Sequence, residues 1–130
     1  MASLQVAIAV IERRGRLLIC RRGADGHLGG YWEFPGGKRR AGETWTACLR
    51  RELREELGVS VGALRSAGSF RYRYPGRAIT FRVFRCIIVR GTPRPLAAVA
   101  LRWVTRAELS RYRFPPANAQ LILKLSKTPV

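Results

Sequence analysis

Glu52, Glu55 and Glu56 are crowded into five positions of the stretch RRELREELG, residues 50–58. The crowding is conspicuous because the 130-residue chain has only eight acidic side chains against 25 basic ones, a formal net charge of +17. Helix formers surround them, with Trp45, Leu49, Leu53 and Leu57 spaced by four and Gly58 where a C-cap glycine belongs. That spacing predicts a helix from about Thr44 to Leu57. At about 100° per residue the three carboxylates fall within an arc of about 100° beside the apolar stripe, so they converge on one face. Like charges three and four apart repel by roughly 0.2–0.5 kcal/mol per pair. Anions near the C-terminal end of a helix oppose its dipole, costing roughly 0.3–1 kcal/mol each. Arg51 and Arg54 relieve part of this as ordinary surface partners. Arg54, however, lies on the far side of the wheel, so the local arginines do not neutralise all three. A divalent cation would. Hard oxygen donors select Mg²⁺, Mn²⁺ or Ca²⁺, and Mg²⁺ usually takes one or two carboxylates while keeping positions for water and substrate phosphate. The pattern predicts a metal site for a phosphorylated, anionic substrate.

The remaining elements must hold that helix in place. LQVAIAVI, ERRG and RLLICRR read as strand, turn and strand, a β-hairpin rather than an Arg-rich transit segment. WEFPGGKRRAGE, with its Pro and glycines, demands a shaped loop. After a short strand from residue 59, FRYRYPGRAITFRVFRCIIVRG alternates around PGR as a second hairpin. LRWV predicts a short strand, TRAELSRY begins with a Thr cap, and Pro115-Pro116 ends one element before ANAQLILKL starts a second helix. Hairpins mixed with two main helices give an α/β or α+β class, and the length fits one domain spanning 1–130.

The residues of the acidic helix and its loop also carry a family likeness. Gly37, Glu43, Arg51-Glu52-Leu53, Glu55-Glu56 and Gly58-Val59 reproduce the Nudix box, G x5 E x7 REU xEE xGU with U aliphatic, at every specified position. The chain is identified as resembling a Nudix hydrolase, and RRGADGHLGGYWEFPGGK with FPPANAQLILKL resembles the MutT branch. The likeness implies an α/β/α sandwich with a mixed central sheet and a loop-helix-loop motif. It implies Mg²⁺ or Mn²⁺ as cofactor and hydrolysis of 8-oxo-dGTP to the monophosphate and pyrophosphate. By the same likeness, the Gly36 carbonyl with Glu52, Glu55 and Glu56 forms the metal shell. Glu52 also orients or deprotonates the attacking water, and Glu43 and Arg51 fix the helix to its loop. Arg22 matches a phosphate contact, while the Phe34 backbone, Arg77 and Asn118 match positions that read the purine edge. On local sequence Asn118 fits a helix cap equally well, and His27, the only histidine, reads as a loop residue at the pocket rim. Trp32 and Phe34 read as partial core. One departure matters: many relatives carry a further acid in the loop before the late strand, and residues 90–107 here contain no Asp or Glu. That places water activation on Glu52.

Composition narrows the alternatives. Apolar residues make up 47%, enough for a core, and no apolar run approaches the roughly eighteen residues a membrane span needs. Cys20, Cys48 and Cys86 are odd in number with no CxxC pair, which predicts reduced thiols, a cytoplasmic setting and no structural zinc. All basic residues except Lys38, Lys124 and Lys127 are Arg, either a solvated exterior or a field that draws in anions. The expected partner is a nucleotide substrate, with no membrane and no stable nucleic-acid partner, and the expected state is monomeric. Two other functions compete: a Nudix hydrolase of broader taste for CTP, other dNTPs or a sugar nucleotide, and a non-catalytic module that binds oxidised guanine or nucleic acid.

Overall fold

The first apolar run becomes β1, Ala2–Arg13. Ala7, Ala9 and Ile11 pack into one core and Ile8 and Val10 into another, so the strand is buried on both faces. Such a strand belongs at the centre of a sheet. Arg14 and Gly15, with φ of 52° and 76°, turn the chain into β2, Arg16–Arg21. The predicted hairpin forms only at its tip, through Glu12 opposite Leu17 and Arg13 opposite Arg16. The rest of β1 pairs elsewhere, because a two-faced apolar strand gains more from a central position. Ala2–Ile11 runs parallel to residues 77–86 of β6, Arg77–Arg90.

The Gly-rich stretch, expected as loop, contains two small strands. β3, Trp32–Glu33, pairs with β2, and β4, Gly36–Lys38, pairs with β1. Gly36 has φ of 150° and lies so close to Ala7 that a Cβ there would overlap the Ala7 carbonyl oxygen. Its missing side chain is what lets the main chain join the sheet.

Helix α1, Trp45–Leu57, is capped as its sequence requires: Thr44 Oγ1 accepts from Ala47 N at 3.1 Å, and Gly58 takes φ of 71°. The helix's last carbonyls are met by the following loop, with Arg94 N donating to Leu57 O and Leu96 N to Glu56 O. β5, Ser60–Tyr74, merges the predicted short strand with the first arm of the second hairpin, at the cost of register shifts near Gly62–Arg65 and Ser66–Ser69. β7, Ala100–Val104, adds to β2. A 3-10 turn at Ala107–Arg111 opens on a reciprocal cap, Thr105 N to Glu108 Oε1 at 2.9 Å and Glu108 N to Thr105 Oγ1 at 3.3 Å. A second turn, Pro116–Asn118, leads into α2, Ala119–Lys127.

The structure is a computed structural model that describes residues 2–26 and 28–127. The strands form one mixed sheet of order β3-β2-β1-β6-β5, with β4 on β1 and β7 on β2. Leu49, Leu53 and Leu57 of α1 pack with Ala9, Leu18 and Phe84 on one face. Leu121 and Leu125 of α2 pack with Val10, Leu17 and Val83 on the other. The α/β/α sandwich follows from that division. Among the described residues no helix is long and apolar enough to cross a membrane.

Candidate active site

A cleft of about 600 Å³ opens between the two helices' loop ends. Arg22, Phe34, Gly36, Glu52, Glu56, Arg77 and Asn118 all line it, although they come from five separate parts of the chain. Glu43, Arg51 and Glu55 stand beside this lining. His27 falls outside the described residues.

Arg51 organises the acidic corner from a side chain only 13% exposed. Its Nε and Nη2 donate to the two Glu43 oxygens at 2.7 and 3.0 Å. Nη1 donates to Glu52 Oε1 at 2.7 Å and reaches Glu55 Oε2 at 3.4 Å. These bonds, with the Arg40 N–H on Glu43, hold the Glu43 carboxyl down at about 2. The loop before the helix is pinned in turn by Arg39, which donates to Glu43 O at 2.6 Å and to Gln5 Oε1 of β1 at 2.7 Å. Glu52 thus sits in a fixed place, against Gly37, where a Cβ would collide with its carboxylate.

Arg51 serves two of the three carboxylates and leaves the third. Glu56 Oε1 accepts only the Gly36 N–H, at 3.0 Å. Burial, with further push from Glu52, Glu33 and Glu55, drives Glu56 up to about 8 against that one hydrogen bond. Glu55 is half-exposed and lies 4.0 Å from Arg40.

Glu33 was not anticipated as a site residue. Its strand pairs it with Cys20, which faces α1, so cross-strand partners sharing a face bring Glu33 toward Glu56. Glu33 Oε2 lies 3.3 Å from Arg22 Nη1, and burial raises its carboxyl despite that arginine. The pairing of two short, distant segments leaves no local signal. The loop lacking an acid does reach the site: Ala97 and Ala98 line a recess with Asp25, Glu33 and Glu56. Glu108, the next acid along, is occupied in its cap.

At the other end the cleft is apolar, floored by Ile8, Ile79 and Phe81. Phe34 stacks on Phe114 with centroids 5.3 Å apart and is core, as is Trp32. Asn118 is 7% exposed, and its side-chain amide makes no hydrogen bond among the described residues, to a helix N–H or otherwise. The three cysteines are free and buried, with burial pushing the Cys48 thiol up to about 11 and Cys86 to about 12.

The NUDIX domain pattern matches residues 6–124 of the sequence. The chain belongs to the Nudix family. It is 34% identical to the 8-oxo-dGTP diphosphatase of Escherichia coli K12, over 98% of this chain and 99% of that one. It is also 34% identical to the CTP pyrophosphohydrolase of the same organism, over 94% of this chain and 90% of the other. The crystal structure of a MutT NUDIX hydrolase from Burkholderia pseudomallei superposes with a TM-score of 0.85 at 24% identity, covering 96% and 98% of the two chains, and shares the fold.

The Nudix residues present fit a hard divalent cation. Among the described residues no three His, Cys, Asp or Glu side chains are gathered in ligating geometry; Glu52 and Glu55 are turned to Arg51, and Glu56 to the Gly36 N–H. The donor set is nevertheless all oxygen, and Glu56 is a buried carboxylate beside three others with no cation of its own.

Proposed function

We propose that the chain is a divalent-metal-dependent nucleoside triphosphate diphosphatase. It hydrolyses 8-oxo-dGTP, and dGTP more weakly, to the monophosphate and pyrophosphate, and so clears oxidised nucleotide from the cytoplasmic pool as a single-domain monomer. The observation that carries this reading is the polarity of one cleft. An unpartnered, buried Asn118 amide stands over an apolar floor at one end, and Glu52, Glu56 and Arg22 stand at the other. The resemblance to a named 8-oxo-dGTP diphosphatase along almost the whole chain supports it.

Glu52, Glu55, Glu56 and the Gly36 carbonyl would hold the ion, Mg²⁺ or Mn²⁺, which when bound neutralises phosphate charge and makes water a better nucleophile. Glu52, braced by Arg51 and by the tight approach of Gly37, orients the attacking water and takes its proton. With the late loop contributing only Ala97 and Ala98, that task has no other acid from residues 90–107. Glu43 holds Arg51 in position through two hydrogen bonds. Arg22, steered by Glu33, meets the charge that develops on the phosphoryl oxygens. Asn118 offers a donor and an acceptor side by side, which with the Phe34 main chain suits a purine edge. Arg77 and His27 contact the nucleotide at the rim.

A second reading has its own support. Equal identity to a CTP pyrophosphohydrolase favours a broader pyrimidine-tolerant enzyme. A phosphate-release assay with Mg²⁺ and inorganic pyrophosphatase separates the two. The first reading expects kcat/KM to fall in the order 8-oxo-dGTP, dGTP, dCTP, whereas kcat/KM for CTP or dCTP at or above that for 8-oxo-dGTP overturns it.

A further inference from the structure

A second cluster of like charge lies on the sheet face that carries α2, farther along β6 than the cleft. Arg65 of β5 stands directly across from Arg85 of β6 in the strand register. Like charges so paired destabilise a sheet. Beside them Arg106 has a side chain only 8% exposed, with Nη2 3.2 Å from Glu12 Oε1. Its Nε and Nη1 are buried with no hydrogen-bond partner. Lys124 of α2 brings a fourth charge, its Nζ donating to Ala67 O at 3.0 Å. Among the described residues Glu12 is the carboxylate that pairs with this group, and the same oxygen already takes Arg85 Nε at 2.7 Å. These side chains enclose a recess of about 260 Å³, with Ser66 at its edge and Val83, Leu121 and Leu125 as its floor.

Buried donors without an acceptor are costly, and leucine or methionine would fill the place of Arg106 at less expense. What four cations and one carboxylate lack is an anion. Arginine forks match tetrahedral oxyanions in several directions at once. The apolar floor provides no donor and acceptor pair for a base, so recognition ends at the phosphate. We infer that this recess is a second binding site, separate from the cleft, for a small free phosphate anion, inorganic phosphate or pyrophosphate. Arg106 lies too deep for the phosphate of a duplex backbone. The inference does not depend on the substrate assigned to the cleft.

Titration calorimetry with pyrophosphate, in EDTA so that the acidic corner holds no metal, tests it together with ¹⁵N amide shifts. The full chain should bind saturably at one site, with shifts confined to residues 65–67, 83–85, 106 and 121–125. Arg65→Ala combined with Lys124→Ala removes two exposed charges and should weaken binding about tenfold or more, while leaving kcat/KM on the preferred nucleotide unchanged. Arg71→Ala with Arg73→Ala removes equal charge elsewhere on β5 and should leave the affinity as it was. No saturable binding, equal weakening by both pairs, shifts mapping to the cleft, or preferential binding of a single-stranded oligonucleotide would each overturn the assignment.

Discussion

The acidic corner and the basic recess pose the same electrostatic problem with opposite sign and solve it to different extents. In the first, one guanidinium, Arg51, is shared among Glu43, Glu52 and Glu55, and Glu56 is left over. In the second, one carboxylate, Glu12, is shared between Arg85 and Arg106, and two N–H groups are left over. The surroundings differ more than the charges do. The acidic corner is clamped by main chain: Gly36 against Ala7, Gly37 against Glu52, and the loop bonded to β1 through Arg39. The basic recess lies on an edge strand whose register slips twice. A site that must place a water and a phosphorus to within a fraction of an ångström needs the first setting, whereas one that only holds an anion tolerates the second.

Substitutions that attack the clamped corner should therefore have the largest consequences. Glu52→Gln and Glu56→Gln should each lower kcat by about a hundredfold or more with the circular dichroism spectrum unchanged; near-normal rates in both would remove the metal assignment. Gly37→Ala should follow, with kcat down by about tenfold and little change in Tm, because the added methyl meets the movable end of Glu52 rather than backbone. If kcat holds, the clamp does not position Glu52. At the far end of the cleft Asn118→Ala should lower the 8-oxo-dGTP to dGTP ratio of kcat/KM by about tenfold. Equal loss on both substrates would return Asn118 to a structural role.

The smallest effect is thermodynamic. Glu56 titrates near 8 in the metal-free fold and near its ordinary value, 4.5, when unfolded. The native state therefore binds more protons between those limits, and stability falls as pH rises through them. Glu33, also raised, adds in the same direction. In EDTA, Tm should drop from pH 5 to pH 8, and Mg²⁺ or Mn²⁺ should flatten the slope by favouring the carboxylate. A slope that survives metal would place the ion elsewhere.

Most of the acidic corner was legible in the sequence because its determinants are local. Helix spacing sets Glu52, Glu55 and Glu56 on one face, and Thr44 and Gly58 mark the ends of α1 where the caps are found. Arg51 shows the limit of that reading, since its bonds to Glu43 and Lys38 cross a loop and assign it more of the charge than a helical wheel reveals. Pairings between distant segments were not legible. The parallel partner of β1 lies some 75 residues on, and the alternation of β1 alone equally fits a full-length hairpin with β2. Strands as short as β3 and β4 have no periodicity to detect, so the position of Glu33 opposite Cys20 emerges only with the sheet. The same holds for Arg65 and Arg85, ordinary arginines until register sets them face to face.

The parallel pairing of β1 with β6 also fixes an order of events at the ribosome. VAIAVI is among the first segments made, yet its long central ladder cannot close until Cys86 has been synthesised. Throughout that interval a β-prone apolar segment waits without its main partner, the condition under which chains associate with one another. Arg13, Arg14 and Arg16 follow it immediately. Flanking charge of that kind keeps nascent chains apart, which gives part of the +17 a use before any substrate is met.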